Sequence, residues 1–313
     1  MQAKVLANTL QMDRKAWLEA RQQGIGGSDV AAIAGLSKWK SQVQVFLEKT
    51  QAIEQEAVQS EAAYFGNVLE EVVAQEFTKR TGLKVQRRNA ILQHPEYHWM
   101  LANVDRLIVG ERVGLECKTA SEYLKKEWED DEVPEAYILQ CQHYMAVTGY
   151  EAWWIAALIG GNKFVYKKIE RDEVIIQYLI HMERDFWLNH IEKDEPPMFD
   201  GSEASTQLLK RFYPESVEGS SIGLEKQEEL LIEARDQVDR EIKVLQEQKA
   251  EYENKLKAKL GICEKGTTEN YTIYWKSYTS NRFDSKRFKT EHPDLYKKYT
   301  KETISRKLSV KRK

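Results

Sequence analysis

The stretch ANVDRLIVGERVGLECKTA, residues 102–120, decides how the rest of the chain is read. Two strand patterns meet at Gly110-Glu111, and a two-residue loop containing glycine between such runs favours a tight hairpin. With Val109 paired to Arg112, counting outward sets Asp105 opposite Glu116 and Asn103 opposite Lys118. Opposite residues share a face of the sheet with Cβ atoms about 5 Å apart. Glu116 and Lys118 share that face too, because strand side chains alternate with period two. Two carboxylates and an ammonium are therefore expected on one patch, provided the loop is no longer than two residues.

Such a patch suits a hard divalent cation. Magnesium takes oxygen ligands and commonly uses one or two carboxylates, keeping waters and substrate phosphate for its other positions. The lysine can orient or deprotonate an attacking water, or stabilise charge on phosphoryl oxygens. The expected cofactor is Mg2+, with Mn2+ as the alternative.

Working outward, Gly24-Ile25-Gly26-Gly27-Ser28-Asp29 closes one helix and opens the next, with Ser28 or Asp29 as its cap. From Phe65 to Arg80, the residues Phe65, Leu69, Val72, Val73 and Phe77 fall on a single helical stripe, expected to face the core. Strand patterns follow at about 84–92, 101–109 and 113–119, then a helix near 135–148, strands at 152–159 and 163–169, and a helix over 172–191. The fold class is α/β (α+β), with a mixed central sheet flanked by helices. The core is expected to span 1–200 and a polar linker 201–221. Over 222–262, Leu224, Leu231, Val238, Leu245 and Tyr252 recur every seven residues, with Ile242 and Leu256 in partner positions. That is a long amphipathic helix, either a coiled coil or a helix packed on its own chain, since Arg235 and Lys249 break its second seam. A strand and a basic extension fill 263–313.

The 313 residues have a net charge of -3, which conceals an asymmetry. Residues 281–313 hold 12 Lys+Arg against 4 Asp+Glu, leaving 35 against 46 for the preceding 280. A basic tail on an acidic body is an electrostatic footprint for nucleic acid or another polyanion, or a solubilising terminus. The three cysteines, Cys117, Cys141 and Cys263, form no CxxC pair, which argues against a zinc knuckle or iron-sulfur cluster; they are expected to be packed thiols. GIGGSD lacks the lysine of a P-loop, and no nucleophile motif surrounds the Ser, His or Cys residues. His94 and His98 flank Pro95 in a polar loop, a poor context for a metal pair, and Trp153-Trp154 sits in an apolar strand pattern that favours core packing. No apolar run reaches the roughly 20 residues of a membrane span, and MQAKVLANTLQMDRK lacks the apolar region of a secretory signal. The expectation is a cytoplasmic protein with no membrane partner.

The order of parts resembles the YqaJ-type viral recombinases and the phage lambda exonuclease, within the PD-(D/E)XK nuclease superfamily. The resemblance lies in RQQGIGGSDVAAIAG at 21–35, GNVLEEVVAQEF at 66–77, NVD at 103–105, LECK at 115–118 and QCQHYMAVTG at 140–149, and covers about residues 14–195. The tail SNRFDSKRFKTEHPDLYKKYTKETISRK is also similar to the extension of YqaJ-type proteins. One departure is Val104 before Asp105, where the superfamily pattern has proline.

The resemblance implies a restriction-endonuclease-like core and a metal-dependent exonuclease that resects double-stranded DNA ends 5' to 3', leaving 3' single strands. It implies that Asp105, Glu116 and the main-chain carbonyl of Cys117 bind metal and that Lys118 serves the water. It adds Glu70, which borders the apolar stripe on the helical wheel whereas Glu71 points away. It also adds a glutamine near the site, for which Gln140, at i, i+4 with Tyr144, is preferred to Gln142. Arg21 and Ser28 match a 5'-phosphate-contacting pair; a glycine turn entering a helix offers free N–H groups and a dipole end, and arginine adds a fork for phosphate oxygens. The implied partners are DNA ends, a RecT-type single-strand annealing protein, and further copies of the chain in a ring trimer. The alternatives are a DNA-binding recombination module with an inactive nuclease site, and a RecB- or Cas4-like nuclease of other polarity, whose iron-sulfur members need four cysteines.

Overall fold

The computed structural model describes residues 2–50, 61–130 and 132–311. The chain divides into two units, Met1–Phe212 and Tyr213–Lys313.

In chain order, the first unit runs β1 (Lys4–Asn8), α1 (Arg14–Gln22), β2 (Ile25–Gly26), α2 (Gly27–Ile33), α3 (Gln42–Lys49), α4 (Glu61–Thr81), β3 (Val85–Arg87), β4 (Ala90–Gln93), β5 (Met100–Asn103), β6 (Arg106–Ile108) and β7 (Val113–Ala120). A 3-10 turn (Glu122–Trp128) leads to α5 (Glu135–Thr148), β8 (Ala152–Ile159), β9 (Lys163–Glu170), α6 (Glu173–Phe186) and α7 (Glu203–Phe212). Two mixed sheets result, ordered β3-β6-β7-β8-β9 and β1-β4-β5-β2. Within the first, β7 and β8 are parallel and α5 connects them, while its other pairs are antiparallel. The expected α/β class with a mixed sheet flanked by helices is the architecture found.

The hairpin β6-β7 has Arg106 opposite Leu115 and Leu107 opposite Gly114, the register counted from a Gly110-Glu111 turn, although the loop between Ile108 and Val113 has four residues and not the two expected. Gly110 takes a positive φ of 84°, which a side chain would disfavour there. The expected strand 101–109, however, breaks at Val104-Asp105. Its first half joins the other sheet, so Asn103 lies opposite Ile91 and not Lys118. The strand expected over 84–92 divides between the two sheets in the same way. The chain changes sheets at these two points, and alternation alone gives no sign of that.

Helix α5 explains much of the packing. Its residues from Gln140 to Thr148 are all buried, as befits a helix covered on every side. Cys141, Tyr144, Met145, Ala146 and Val147 join Trp153, Ile25, Val30, Met100 and Leu179 in the main core. Trp153 fits because Gly114 lies beneath it: a Cβ there would sit 2.2 Å from the indole. A second cluster gathers Val73 and Phe77 of α4 with Leu115 and Ala156. The α4 stripe is buried only at this end; Phe65 and Val72 are 52% and 49% exposed. The expectation that the whole stripe faces the core is corrected: of α4 only Val73, Ala74 and Phe77 are buried. The residues of 201–221, expected as linker, include α7, whose Ala204, Ser205 and Leu208 are buried in the first unit.

The second unit comprises α8 (Lys226–Leu260), the hairpin β10 (Lys265–Thr267) and β11 (Thr272–Tyr274), α9 (Ser285–Glu291) and α10 (Pro293–Tyr299). No residue of α8 is buried. No described helix is long and apolar enough to cross a membrane.

Candidate active site

Asp105 leaves the hairpin just before β6, and its carboxylate accepts the Cys117 N–H at 2.8 Å, which ties it to the strand carrying Glu116 and Lys118. Glu116 is buried, and its Oε1 accepts from Lys118 Nζ at 2.6 Å and from Gln140 Nε2 at 2.7 Å. The Gln140 amide also donates to the Tyr144 hydroxyl at 2.8 Å. Lys118 Nζ lies 5.0 Å over the Tyr137 ring. Asp105, Glu116, Lys118 and Gln140 therefore form one cluster. Gln142 faces elsewhere, donating to the Glu170 carbonyl and accepting from the Asp172 N–H.

Glu70 is near this cluster but is held by Arg106, whose guanidinium also donates to Glu71 Oε2 at 3.0 Å and to the Asp105 carbonyl. The helical wheel turns Glu71 away; here the buried arginine draws both neighbouring carboxylates to itself. Sequence does not single out Arg106, because nothing in its position beside Asp105 reveals that its side chain reaches α4.

The electrostatics of the cluster are unbalanced. Burial, then the nearby Glu116 and Glu70, push the Asp105 carboxyl well above the usual carboxylate range. Burial opposes charge on Lys118 as well, but Glu116 and Asp105 outweigh it and raise its pKa, so it is held as an ammonium ion. The Oε2 of Glu116 is buried without a hydrogen-bond partner. An orphaned buried carboxylate oxygen beside a second carboxylate has the chemistry of a cation site. Among the described residues no three His, Cys, Asp or Glu side chains gather closely enough to hold a metal ion by themselves. A cation here would keep several waters, which is the habit of magnesium.

The glycine turn lies against this cluster. Helix α2 starts earlier than expected, with Gly26 as its cap in place of Ser28 or Asp29, and with Asp29 reaching back to the Gly26 N–H at 3.1 Å. Ser28 is exposed and accepts from Arg21 Nη2 at 2.9 Å. The Arg21 guanidinium also lies 4.7 Å over the Trp17 ring. At the next position Gly27 packs on Tyr144 and the stem of Gln140; a Cβ would come within 2.6 Å of the ring. So one residue separates the Arg21–Ser28 pair from a contact with the glutamine that holds Glu116.

Asp29 is fully engaged beneath the turn. It is 1% exposed and bonds Lys40 and Lys49, each at 2.8 Å, while Lys40 also pairs with Glu48. Burial alone would raise the Asp29 pKa, but Lys40, Lys49 and Arg21 together hold it well below the usual range. The sequence offers no signal for these lysines, which come from the following loop and from α3.

The remaining candidates have structural roles. His94 accepts the Glu96 and Tyr97 N–H groups and closes a turn; burial lowers its pKa to about 4. His143, which no sequence pattern picks out, is fully buried between Glu183 and the Leu101 carbonyl. Cys141 is buried, but Cys263 is exposed, which corrects the expectation of three packed thiols.

LHK-Exo, an alkaline exonuclease from Laribacter hongkongensis, is similar at TM-score 0.48 and 19% identity, over 63% of this chain and 97% of its own. The structure of LHK-Exo in complex with dAMP gives TM-score 0.50 and 20% identity over the same shares, a likeness of fold. An uncharacterized protein YqaJ of Bacillus subtilis (strain 168) is 46% identical over 311 residues, covering 99% of this chain and 98% of that protein. Residues 16–151, which hold both the glycine turn and the carboxylate cluster, match the YqaJ-like viral recombinase domain. The chain belongs to the YqaJ-like viral recombinase family.

Proposed function

We propose that the protein is a metal-dependent exonuclease that resects double-stranded DNA ends from the 5' side. The observation that carries this reading is the orphaned Glu116 Oε2 in a buried carboxylate cluster whose Gln140 packs on the turn bearing Arg21 and Ser28. Family membership and the fold of LHK-Exo support a nuclease.

Asp105 and Glu116 would hold Mg2+, or Mn2+, with the Cys117 carbonyl and Glu70 as further oxygen donors. When bound, the ion supplies Lewis-acid polarisation of the phosphoryl oxygen and a lower pKa for water. Lys118, kept as an ammonium by its carboxylate neighbours, orients the attacking water and stabilises charge developing on the phosphoryl oxygens. Gln140 fixes the Glu116 rotamer through its 2.7 Å bond. Arg21, Ser28 and the positive end of α2 take the terminal 5'-phosphate, and the Lys40 and Lys49 charges cancel the repulsion that Asp29 would otherwise exert on it. Holding the terminal phosphate at one point and cutting at another nearby point yields mononucleotides and leaves a 3' single strand for a RecT-type annealing protein. A ring of three copies would enclose the duplex.

The test is release of label from linear duplex DNA marked at the 5' or the 3' end, with magnesium. The 5' label is expected to be lost first and covalently closed DNA to be spared. Prior loss of 3' label, or nicking of closed circles, would contradict this function.

A further inference from the structure

The longest element of the chain buries none of its residues. Helix α8 spans 35 residues, or about 52 Å at 1.5 Å per residue. Its apolar stripe is nonetheless regular. Leu231, Val238, Leu245 and Tyr252 recur every seven residues and are 69%, 52%, 63% and 64% exposed. Four residues after each heptad position stand Arg235, Ile242, Lys249 and Leu256, with Glu228 one heptad earlier. The apolar repeat runs over four heptads, which reaches the three to four that mark a coiled coil.

The charge along the helix selects what covers this stripe. Residues 226–242 hold six acidic and three basic side chains, net -3, and residues 243–260 hold three acidic and five basic, net +2. A second copy laid parallel and in register would set Glu228, Arg235 and Lys249 each against its own like charge in the seam. Laid antiparallel about a two-fold axis between Lys243 and Val244, the same helix sets each half on the half of opposite sign. In that register Leu231 meets Leu256 of the other copy, Ile242 meets Leu245, and Glu228 meets Lys259 as an ion pair. Arg235 then lies against Tyr252, a cation-π contact, and Lys249 spans Val238 beside Asp239. Every residue that breaks the seam in one chain finds a compatible one in the other, as a self-complementary two-fold contact requires.

We propose that α8 is a homotypic assembly helix, pairing antiparallel with α8 of a second copy of this chain. The contact is isologous and independent of the nuclease site, so it joins two chains, or two rings, through their C-terminal units.

The test uses the full-length chain with its exposed Cys263 changed to serine, and with Leu231→Cys, Leu256→Cys or both. The 25-residue spacing puts these positions about 37 Å apart along one helix, so a short bis-thiol cross-linker cannot bridge them within a chain. Antiparallel pairing predicts covalent dimers, and chains linked at both ends, from the double variant alone; either single variant stays uncross-linked. Cross-linking of Leu231→Cys by itself would mean a parallel pair and would overturn the proposal. In a second measurement, Val238→Asp with Leu245→Asp is expected to halve the particle mass in sedimentation while leaving exonuclease activity per chain on short duplexes unchanged. An unaltered mass would show that this face is not an interface between copies.

Discussion

Lys118 and Gln140 act on the same oxygen of Glu116, and they are expected to fail differently. In the proposed function Lys118 supplies charge to the reacting phosphate, so Lys118→Ala should lower kcat by on the order of 10²–10³-fold with little change in duplex binding. In the same reading Gln140 orients Glu116 as a metal ligand, so Gln140→Ala should cost about 10–100-fold and show mainly as a need for more magnesium to reach half-maximal rate. Titrating the rate against magnesium for both variants separates the two; equal losses with unchanged metal dependence would count against Gln140 as a positioning residue. Asp29 gives a pH prediction. Its pKa is depressed in the folded state, so its stabilising contribution is complete above the unfolded value of about 3.9 and is lost as pH falls through the folded pKa. Asp29→Asn would leave Lys49 buried without its carboxylate, a loss of about 3–5 kcal/mol. Melting temperatures of wild type and Asp29→Asn should differ most at neutral pH and converge below about pH 4. At this scale much is legible in the sequence. Period-two alternation and one glycine turn are enough to set Asp105, Glu116 and Lys118 together, because those rules are local. The Lys40–Asp29–Lys49 cluster and the Arg106 fork are illegible, since they depend on long side chains meeting across elements.

At the scale of elements, the glycines of the site are spacing devices. Gly114→Ala would drive a methyl into the Trp153 indole, and overpacking of this kind costs about 1–3 kcal/mol or more. Gly27→Ala would push α2 away from Tyr144 and Gln140. The two substitutions should part company in assay: Gly114→Ala lowers the melting temperature broadly, whereas Gly27→Ala reduces the preference for a 5'-phosphate over a 5'-hydroxyl. A melting curve and a paired end-chemistry assay check both. The strands at 113–119, 152–159 and 163–169 and the helix near 135–148 are readable from local sequence, whereas the parallel pairing of β7 with β8 is not, because it depends on where the chain returns after α5. The switch of the chain from one sheet to the other at Val104-Asp105 is not readable either, and it moves Asn103 away from Lys118. The exposed half of the α4 stripe escapes sequence for a related reason: a periodic apolar pattern marks a face, but not what covers it.

For the whole molecule, charge is unevenly divided: residues 281–313 hold 12 Lys+Arg against 4 Asp+Glu, and the preceding 280 hold 35 against 46. If residues 281–313 grip DNA, deleting them should flatten the slope of log affinity against log salt by about 0.9 for each phosphate that the tail neutralises. Turnover on a short duplex at saturating concentration should be preserved. A salt slope identical to wild type would assign the tail to some other role. The proposed function stands on the carboxylate cluster and the Arg21–Ser28 turn acting together on one DNA end. Degradation of linear duplex carrying either a 5'-phosphate or a 5'-hydroxyl, with magnesium, by wild type and by Lys118→Ala tests both halves at once. Metal-dependent loss of the 5' end, faster with phosphate and slower by on the order of 10²–10³-fold in the variant, is the expected result. Undiminished degradation by Lys118→Ala would contradict it.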